Sequence, residues 1–408
     1  MSEILKGIGY LRGKLTLKQP RVAHRYACYE MKNGVVDFGI STPPSLAAWS
    51  AVLGWCAKAV DSLADRLQWR EFKDDNFGLN EIFRMNNPDT FFDSAMLSAL
   101  IASCCFVYIS PDEDGYPRLQ VIDGGNATGV IDPITGLLTE GYAVLKRSNT
   151  GAVVREAYFA PGLTQIFEGG QEIDRYDHNV TYPLLVPIIY RPDAVRPFGH
   201  SRISRACMSI VGSARRTLKR SEISAEFYSY PQKWAVGLSD DVEIEKWKAS
   251  MSSMITFGKD EDGDKPSVGQ FTQQSMTPHT DQLRMFASLF AGETGLTLDD
   301  LGFATENPSS AEAIKASHET LRLTARKAQR NFASGFLNVG YLAACMRDEF
   351  PYQRRQLYMT RGAWEPIFEP DAAALSGIGD SIIKINQAVP GYFGKDNLHE
   401  QTGIRPED

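Results

Sequence analysis

One stretch limits what this chain can fold into more than any other: the run from Thr297 to Met346. A short loop, Leu298-Asp299-Asp300-Leu301-Gly302-Phe303-Ala304-Thr305-Glu306-Asn307-Pro308, leads into a helical pattern of about ten turns. Ser309 stands three residues before Glu312, a capping-box spacing, and Pro308 keeps the helix from starting earlier. Ile314, Leu321, Ala325, Ala328, Phe332, Phe336, Val339, Ala343 and Met346 recur at three-, four- and seven-residue steps, so they line one apolar stripe. Arg322, Arg326, Lys327 and Arg330 lie off it. Gly335 falls mid-helix, where glycine costs about 1 kcal/mol relative to alanine and often marks a bend. By itself this is a long amphipathic helix with a loop in front.

The rest of the chain alternates in texture. Residues 45–67 and 88–103 read as helices. From Cys104 to about Tyr190, short Val/Ile/Tyr/Thr runs alternate with turn signals, among them Asp132-Pro-Ile-Thr-Gly136, Asn149-Thr-Gly151 and Glu168-Gly-Gly170. Helices followed by antiparallel strands predict an α+β fold. Residues 200–228 return to helical period, with Ile203, Cys207, Ile210, Ala214, Leu218 and Ala225 on one side. A compact insert, 229–278, carries a strand at 233–236, a helix at 240–251, a second strand at 254–257 and a charged turn. A helix over 280–293 precedes the loop. After Pro351 come a strand (356–361), a helix (371–388) and a thinly patterned polar tail. At 408 residues the chain suggests two to four domains.

Several function classes are excluded by what is missing. There is no GxxxxGK[ST] loop for a triphosphate, no GxGxxG after a strand, no HExxH and no GxSxG, so catalysis is not expected and no cofactor is called for. The six histidines are dispersed, and the six cysteines show no CxxC spacing, so no metal site is expected. Met1-Ser-Glu-Ile-Leu-Lys does not read as a secretory signal. The most apolar run, Ala95–Ile109, is too short for a bilayer and reads as a buried helix entering a buried strand, so no membrane role is expected. Lys and Arg number 43 against 50 Asp and Glu, giving a net charge of −7. A protein that grips DNA is usually basic, so any nucleic-acid contact here must be local or weak.

Three segments remain as candidate sites. Residues 201–220 carry Arg202, Arg205, Arg215, Arg216, Lys219 and Arg220 and no acid. They are either a solvated helix face or a positive band around a pore. The insert carries eight acids with Trp234, Lys246 and Trp247. Its tryptophans are either a small core or interface anchors, where Trp is enriched. The loop joins Asp299, Asp300 and Glu306 to apolar Leu298, Leu301 and Phe303.

The wording of two segments adds to this reading. Asn307-Pro-Ser-Ser-Ala-Glu-Ala-Ile314, with Glu319-Thr-Leu321 following, resembles the tunnel loop and long kinked helix of portal proteins of tailed double-stranded DNA bacteriophages, of the siphophage type. Gly199-His-Ser-Arg-Ile203, Arg215-Arg-Thr-Leu218, Glu222-Ile-Ser224 and Tyr228-Ser-Tyr-Pro-Gln232 resemble the stretch entering that family's stem and clip. Val60-Asp-Ser-Leu-Ala-Asp-Arg-Leu67 is a weaker echo of an early wing helix. The resemblance covers most of 45–400.

The resemblance implies a ring of twelve identical subunits at one capsid vertex, in the virion and, during assembly, in the host cytoplasm. It implies a channel for packaging, holding and ejecting double-stranded DNA. The implied partners are the terminase large subunit, a head-tail adaptor, and the major capsid and scaffolding proteins. Carried over, 1–199 with 309–364 is an α/β wing, 200–228 and 279–295 are paired stem helices, and 229–278 is a small α/β clip. Residues 296–308 are the tunnel loop and 365–408 a short helical crown. Asp299, Asp300, Phe303, Thr305, Glu306 and Asn307 would face DNA. Leu298, Leu301 and Phe303 would also pack on the neighbouring subunit or the channel wall. Gly335 would place the kink. An acidic collar repels phosphate, and a basic ring elsewhere keeps a duplex centred without clamping it. The competing reading is a non-enzymatic adaptor or scaffold that binds partners through the insert.

Overall fold

The computed structural model describes residues 5–36, 49–229, 233–236, 267–270, 275–303, 316–368, 372–402 and 404. The fold is mixed α and β, with sheets between an N-terminal helix and the long helix of the C-terminal half. The predicted helix at 240–251, strand at 254–257 and capping box at 309–312 lie outside the described residues.

The meander appears where the turn signals place it. Strands β4 (Ala127–Ile131), β5 (Leu138–Arg147), β6 (Val153–Ala160), β7 (Leu163–Glu168) and β8 (Gln171–Asp177) form an antiparallel sheet in sequence order. The Asp132 carboxylate accepts from the Thr135 hydroxyl (2.6 Å) and the Ile134 amide (3.0 Å), and Gly136 closes that turn at φ 73°. A second sheet runs β3 (Pro117–Ile122), β2 (Cys104–Pro111), β9 (Leu185–Ile189). The apolar run at 95–109 is a helix entering a strand, as expected. Helix α4 (Pro88–Ala102) ends at Ser103, whose φ of 88° turns the chain into β2.

Helix α1 (Gly7–Tyr29) has no counterpart in the sequence reading. Of its 23 residues only Leu11, Leu15, Val22 and Cys28 are buried, while apolar Leu17 is exposed. Leu11 and Leu15 join Tyr142, Val144, Tyr158 and Ala160 in a small core of their own. The buried Glu140 carboxylate accepts from the Lys6 and Gly7 amides (3.0 and 2.9 Å) and so caps α1 from the sheet. Helix α2 (Trp55–Ala64) is shorter than the expected 45–67 span; residues 49–54 are not helical. Helix α3 (Leu79–Arg84) follows β1 (Trp69–Lys73).

Helices α5 (Arg205–Ser229) and α6 (Thr277–Thr294) pack side by side. They are antiparallel, because Ser204 reaches Glu293, Thr217 reaches Gln282 and Ser224 reaches His279. Between them, β10 (Lys233–Val236) pairs antiparallel with β11 (Ser267–Gln270), a strand not read from the sequence.

The long helix, α7 (Glu319–Arg347), carries the expected stripe. Leu321, Ala325, Ala328, Phe332, Phe336, Val339, Ala343 and Met346 are all buried, and from Gly335 to Met346 every residue is. This half is covered on all sides, against β9, β2, α3 and β12 (Arg361–Trp364). The helix is continuous through Gly335. What that glycine provides is closeness: a Cβ there would lie 2.9 Å from Ile188 Cδ1. The strand expected at 356–361 is instead a 3-10 turn, Arg354–Leu357, and the strand begins at Arg361. It pairs with β1, and Gly362 lies under the Trp69 ring. That ring belongs to an aromatic cluster with Phe72, Phe92, Phe336 and Trp364. Helix α8 (Ala372–Ala388) matches the expected span, and α9 (Lys395–Thr402) lies in the tail that looked unpatterned.

Candidate functional site

The loop between α6 and α7 is built locally. Gly295 ends α6 at φ 71°, and Leu296 is buried behind it. The Thr297 amide and hydroxyl both donate to Asp300 Oδ2 (2.9 Å each), and the Asp300 amide donates back to Thr297 Oγ1 at 3.2 Å. A 3-10 turn over Asp299–Leu301 follows, closed by Gly302 at φ 88°, with the Phe303 amide donating to Leu298 O at 3.0 Å. Leu301 is buried in the subunit's own core, and Leu298 and Phe303 pack against it. Of the three residues expected to reach a neighbour or a channel wall, Leu301 is taken up by the chain's own core, while Leu298 and Phe303 rest on that core and stay half-exposed. Asp300 is half-buried, engaged with Thr297 and 3.8 Å from His318 Nδ1. Asp299 is exposed. Thr305, Glu306 and Asn307 lie outside the described residues.

The six cations of 201–220 separate into three kinds: buried, half-buried and exposed. Arg202 is buried, its Nε donating to Ala59 O at 3.2 Å and its Nη2 to Thr294 O. Arg215 is 5% exposed. It donates to Ala51 O (2.7 Å), Asn33 O (2.8 Å), Asn33 Oδ1 (3.0 Å) and Ser50 Oγ (3.1 Å). Burial pushes its guanidinium below the ordinary value. Lys219 is also buried, and Arg216 and Arg220 are half-buried, with the Arg216 Nη2 on Ser213 Oγ at 2.9 Å. A continuous positive band is therefore not what the fold makes of this segment. Arg202 and Arg215 tie helices to loops, and only Arg205 is exposed.

The wording Gly199-His-Ser-Arg-Ile203 has a structural reason. Gly199 sits at φ 74°, where a Cβ would lie 2.1 Å from Tyr190 O. His200 N donates to that same carbonyl at 3.0 Å. Ser201 Oγ donates to Ile101 O at 2.6 Å and receives the Ile203 amide at 3.0 Å. The segment locks the entry of α5 against the end of α4.

Arg205 opens into a cleft of about 660 Å³. Helix α1 supplies Arg21, His24 and Arg25, which share one face by their three- and four-residue spacing. The turn after β9 supplies Arg191, Arg196 and His200, and α7 supplies Lys327. Two carboxylates line it. Asp193 is held by His200 Nε2 (2.6 Å) and by the Arg196 and Val195 amides, in which order they keep its carboxyl below the usual range. Glu293 accepts from Ser204 at 2.8 Å. Of these cations, the basic pattern of 201–220 marks only Arg205. The spacing of Arg21 and Arg25, and the pair Arg191 and Arg196 around a proline-rich turn, were the available signals.

In the insert, Trp234 stands opposite Gly269 in the β10–β11 pair, while Lys246 and Trp247 lie outside the described residues. Among the described residues no cluster of His, Cys, Asp and Glu with metal-holding geometry occurs, and no helix is long and apolar enough to cross a membrane.

No protein-family profile matches the chain. Two curated proteins are similar to it. The portal protein of Mycobacterium phage D29 is 22% identical over 317 residues, 72% of this chain and 64% of that protein. The portal protein of Mycobacterium phage L5 is 23% identical over 325 residues, 74% of this chain and 66% of that protein. The match thus spans slightly less than two thirds of the length of these relatives. Among solved structures, a chain from the neck of a native gene transfer agent particle, computed with C12 symmetry, superposes with a TM-score of 0.48 at 13% identity, covering 95% of this chain and all of the other. By sequence the chain is similar, over nearly three quarters of its length, to the portal proteins of mycobacteriophages.

Proposed function

We propose that the chain is the subunit of a portal ring, a closed channel at one capsid vertex through which double-stranded DNA enters and leaves. The observation that carries this is the similarity to two portal proteins over 72–74% of the chain. In this reading 1–199 with 309–364 is the wing, α5 and α6 are the stem, 229–278 is the clip, 296–308 the tunnel loop and 365–408 the crown. The terminase large subunit and a head-tail adaptor dock in turn on the clip, and capsid and scaffolding proteins surround the wing. The protein does no chemistry of its own.

The single chain leaves apolar surface that a ring would cover. Met285 and Leu289, one turn apart on α6, are 49% and 54% exposed, and Leu323 on α7 is 55% exposed. Heterologous contacts repeated by a constant rotation close into rings. Asp299, exposed at the start of the 3-10 turn that follows α6, supports a lumen-facing charge on the tunnel loop. Light scattering on the purified protein tests the assembly. A ring of twelve has about twelve times the 45.3 kDa chain mass. A species that stays at 45.3 kDa at tens of micromolar, in moderate salt, refutes the reading.

A further inference from the structure

The cleft beneath the α5 N-terminus concentrates positive charge in a chain whose net charge is −7. Its cations come from four separate segments: α1, the turn after β9, the start of α5 and α7. Convergence from that many places is not what a single solvated helix face produces. The cleft holds six Arg and Lys side chains and two histidines against two carboxylates, and both carboxylates are already engaged, one with His200 and one with Ser204. Among the described residues, the side chains of Arg21, Arg191, Arg196, Arg205 and Lys327 make no ion pair with an acid, and all five are exposed. Arg25 alone is committed, through its donation to Ala102 O at 3.0 Å. Burial, and then the like charges of Arg21 and Arg196, push its guanidinium below the ordinary value. The cations therefore repel one another, and an anion bound among them relieves that repulsion.

Two further features point the same way. Helix α5 is 25 residues long and begins at the cleft, with Ser204 Oγ capping the Cys207 amide at 3.1 Å, so its positive end faces in. The turn that presents Arg191 and Arg196 is held by Asp193, whose carboxylate takes the Val195 and Arg196 amides, and Arg191 sits at φ 49°. The turn fixes the backbone from which these two arginines reach the cleft, and a guanidinium suits the bidentate geometry of phosphate oxygens.

We propose that this cleft is a binding site for phosphate groups, carried either by duplex DNA or by a free phosphate anion. The site belongs to a single subunit and stands whether or not the chain forms a ring. It is distinct from the α6–α7 loop, the segment that the resemblance makes DNA-facing.

The test compares three purified proteins: wild type, the cleft variant Arg21→Gln/Arg196→Gln/Arg205→Gln, and a control, Arg84→Gln/Arg118→Gln/Lys146→Gln, which removes exposed cations elsewhere. Anisotropy of a labelled 20-base-pair duplex of arbitrary sequence is read at 50 and 200 mM salt, and calorimetry reads inorganic tripolyphosphate. Arg25 is left in place because it holds Ala102, and circular dichroism checks that each variant folds. Three lost phosphate contacts reduce the loss of affinity between those salt concentrations by about forty-fold. That reduction in the cleft variant, absent from the control, assigns the site to DNA phosphates. Unchanged duplex binding with loss of tripolyphosphate binding assigns it to a free anion. Duplex and tripolyphosphate binding that are both the same in the cleft variant as in wild type overturn the proposal. Because none of these readouts depends on assembly, a chain that fails to form rings can still pass, and a ring-former can fail.

Discussion

Changing Arg215 to alanine separates a structural arginine from a pore-lining one. Its guanidinium donates to four acceptors, of which Ala51 O and Asn33 O are main-chain carbonyls at 2.7 and 2.8 Å. Truncation leaves Ala51 O without its partner in a buried place, and frees the loop at 49–51 from α5. Hydrogen bonds from a charged donor are worth roughly 1.5–3 kcal/mol each. Asn33 Oδ1 and Ser50 Oγ can turn to water, and relief of the buried charge offsets part of the loss. The net is a destabilisation of about 3 kcal/mol. With a urea slope of about 3 kcal/mol/M for a chain of this size, the unfolding midpoint falls by about 1 M. Arg205→Ala, at an exposed position, shifts stability by about 0.5 kcal/mol or less. Urea titrations followed by tryptophan fluorescence at one protein concentration measure both. Equal, small shifts would show that Arg215 does not hold the fold as described.

Three other outcomes follow from named contacts. Met285→Asp with Leu289→Asp leaves the subunit folded but monomeric by light scattering, because each half-exposed side chain contributes about 1 kcal/mol per interface once covered. Gly199→Ala destabilises by about 2–4 kcal/mol in thermal melts, since it combines a φ of 74° with a Cβ 2.1 Å from Tyr190 O. His178 is held neutral by burial, with its pKa lowered from 6.5 to about 4, and its Nδ1 accepts the Val180 amide at 3.3 Å. On acidification the unfolded chain takes up this proton near 6.5 while the folded one resists until about 4, so stability is lost as pH falls through that window. Since the ring is partly solvated, His178→Gln reduces that loss by only about 1–2 kcal/mol, read as the difference between unfolding midpoints at pH 7 and pH 4.5.

What was legible in the sequence follows from periodicity. Helix α7 was readable because its stripe repeats over eight turns, and the five-stranded meander because Asp132, Gly136 and Gly151 mark turns that few other residues can make. Helix α1 was not, because four buried side chains over 23 residues leave too weak a pattern, and its docking depends on Glu140, more than a hundred residues away. Sequence showed that 201–220 is basic but not that Arg202 and Arg215 point inward, since burial depends on where Ala59, Thr294 and Asn33 end up. The same limit hid the cleft, whose cations are separated by up to about three hundred residues and meet only in the fold. In the loop, the run Leu298-Asp299-Asp300-Leu301 shows the mixed acidic and apolar composition. Only the packing of Leu301 into the chain's own core shows that this leucine is an anchor.

Copies of this chain, in the proposed reading, enclose a channel wide enough for a duplex. Electron cryomicroscopy of the purified assembly tests it most directly. The expected image is a closed ring with an open axial lumen, α5 and α6 side by side along it, and Asp299 near its wall. A monomer, an open filament, or a particle without a central passage would contradict it.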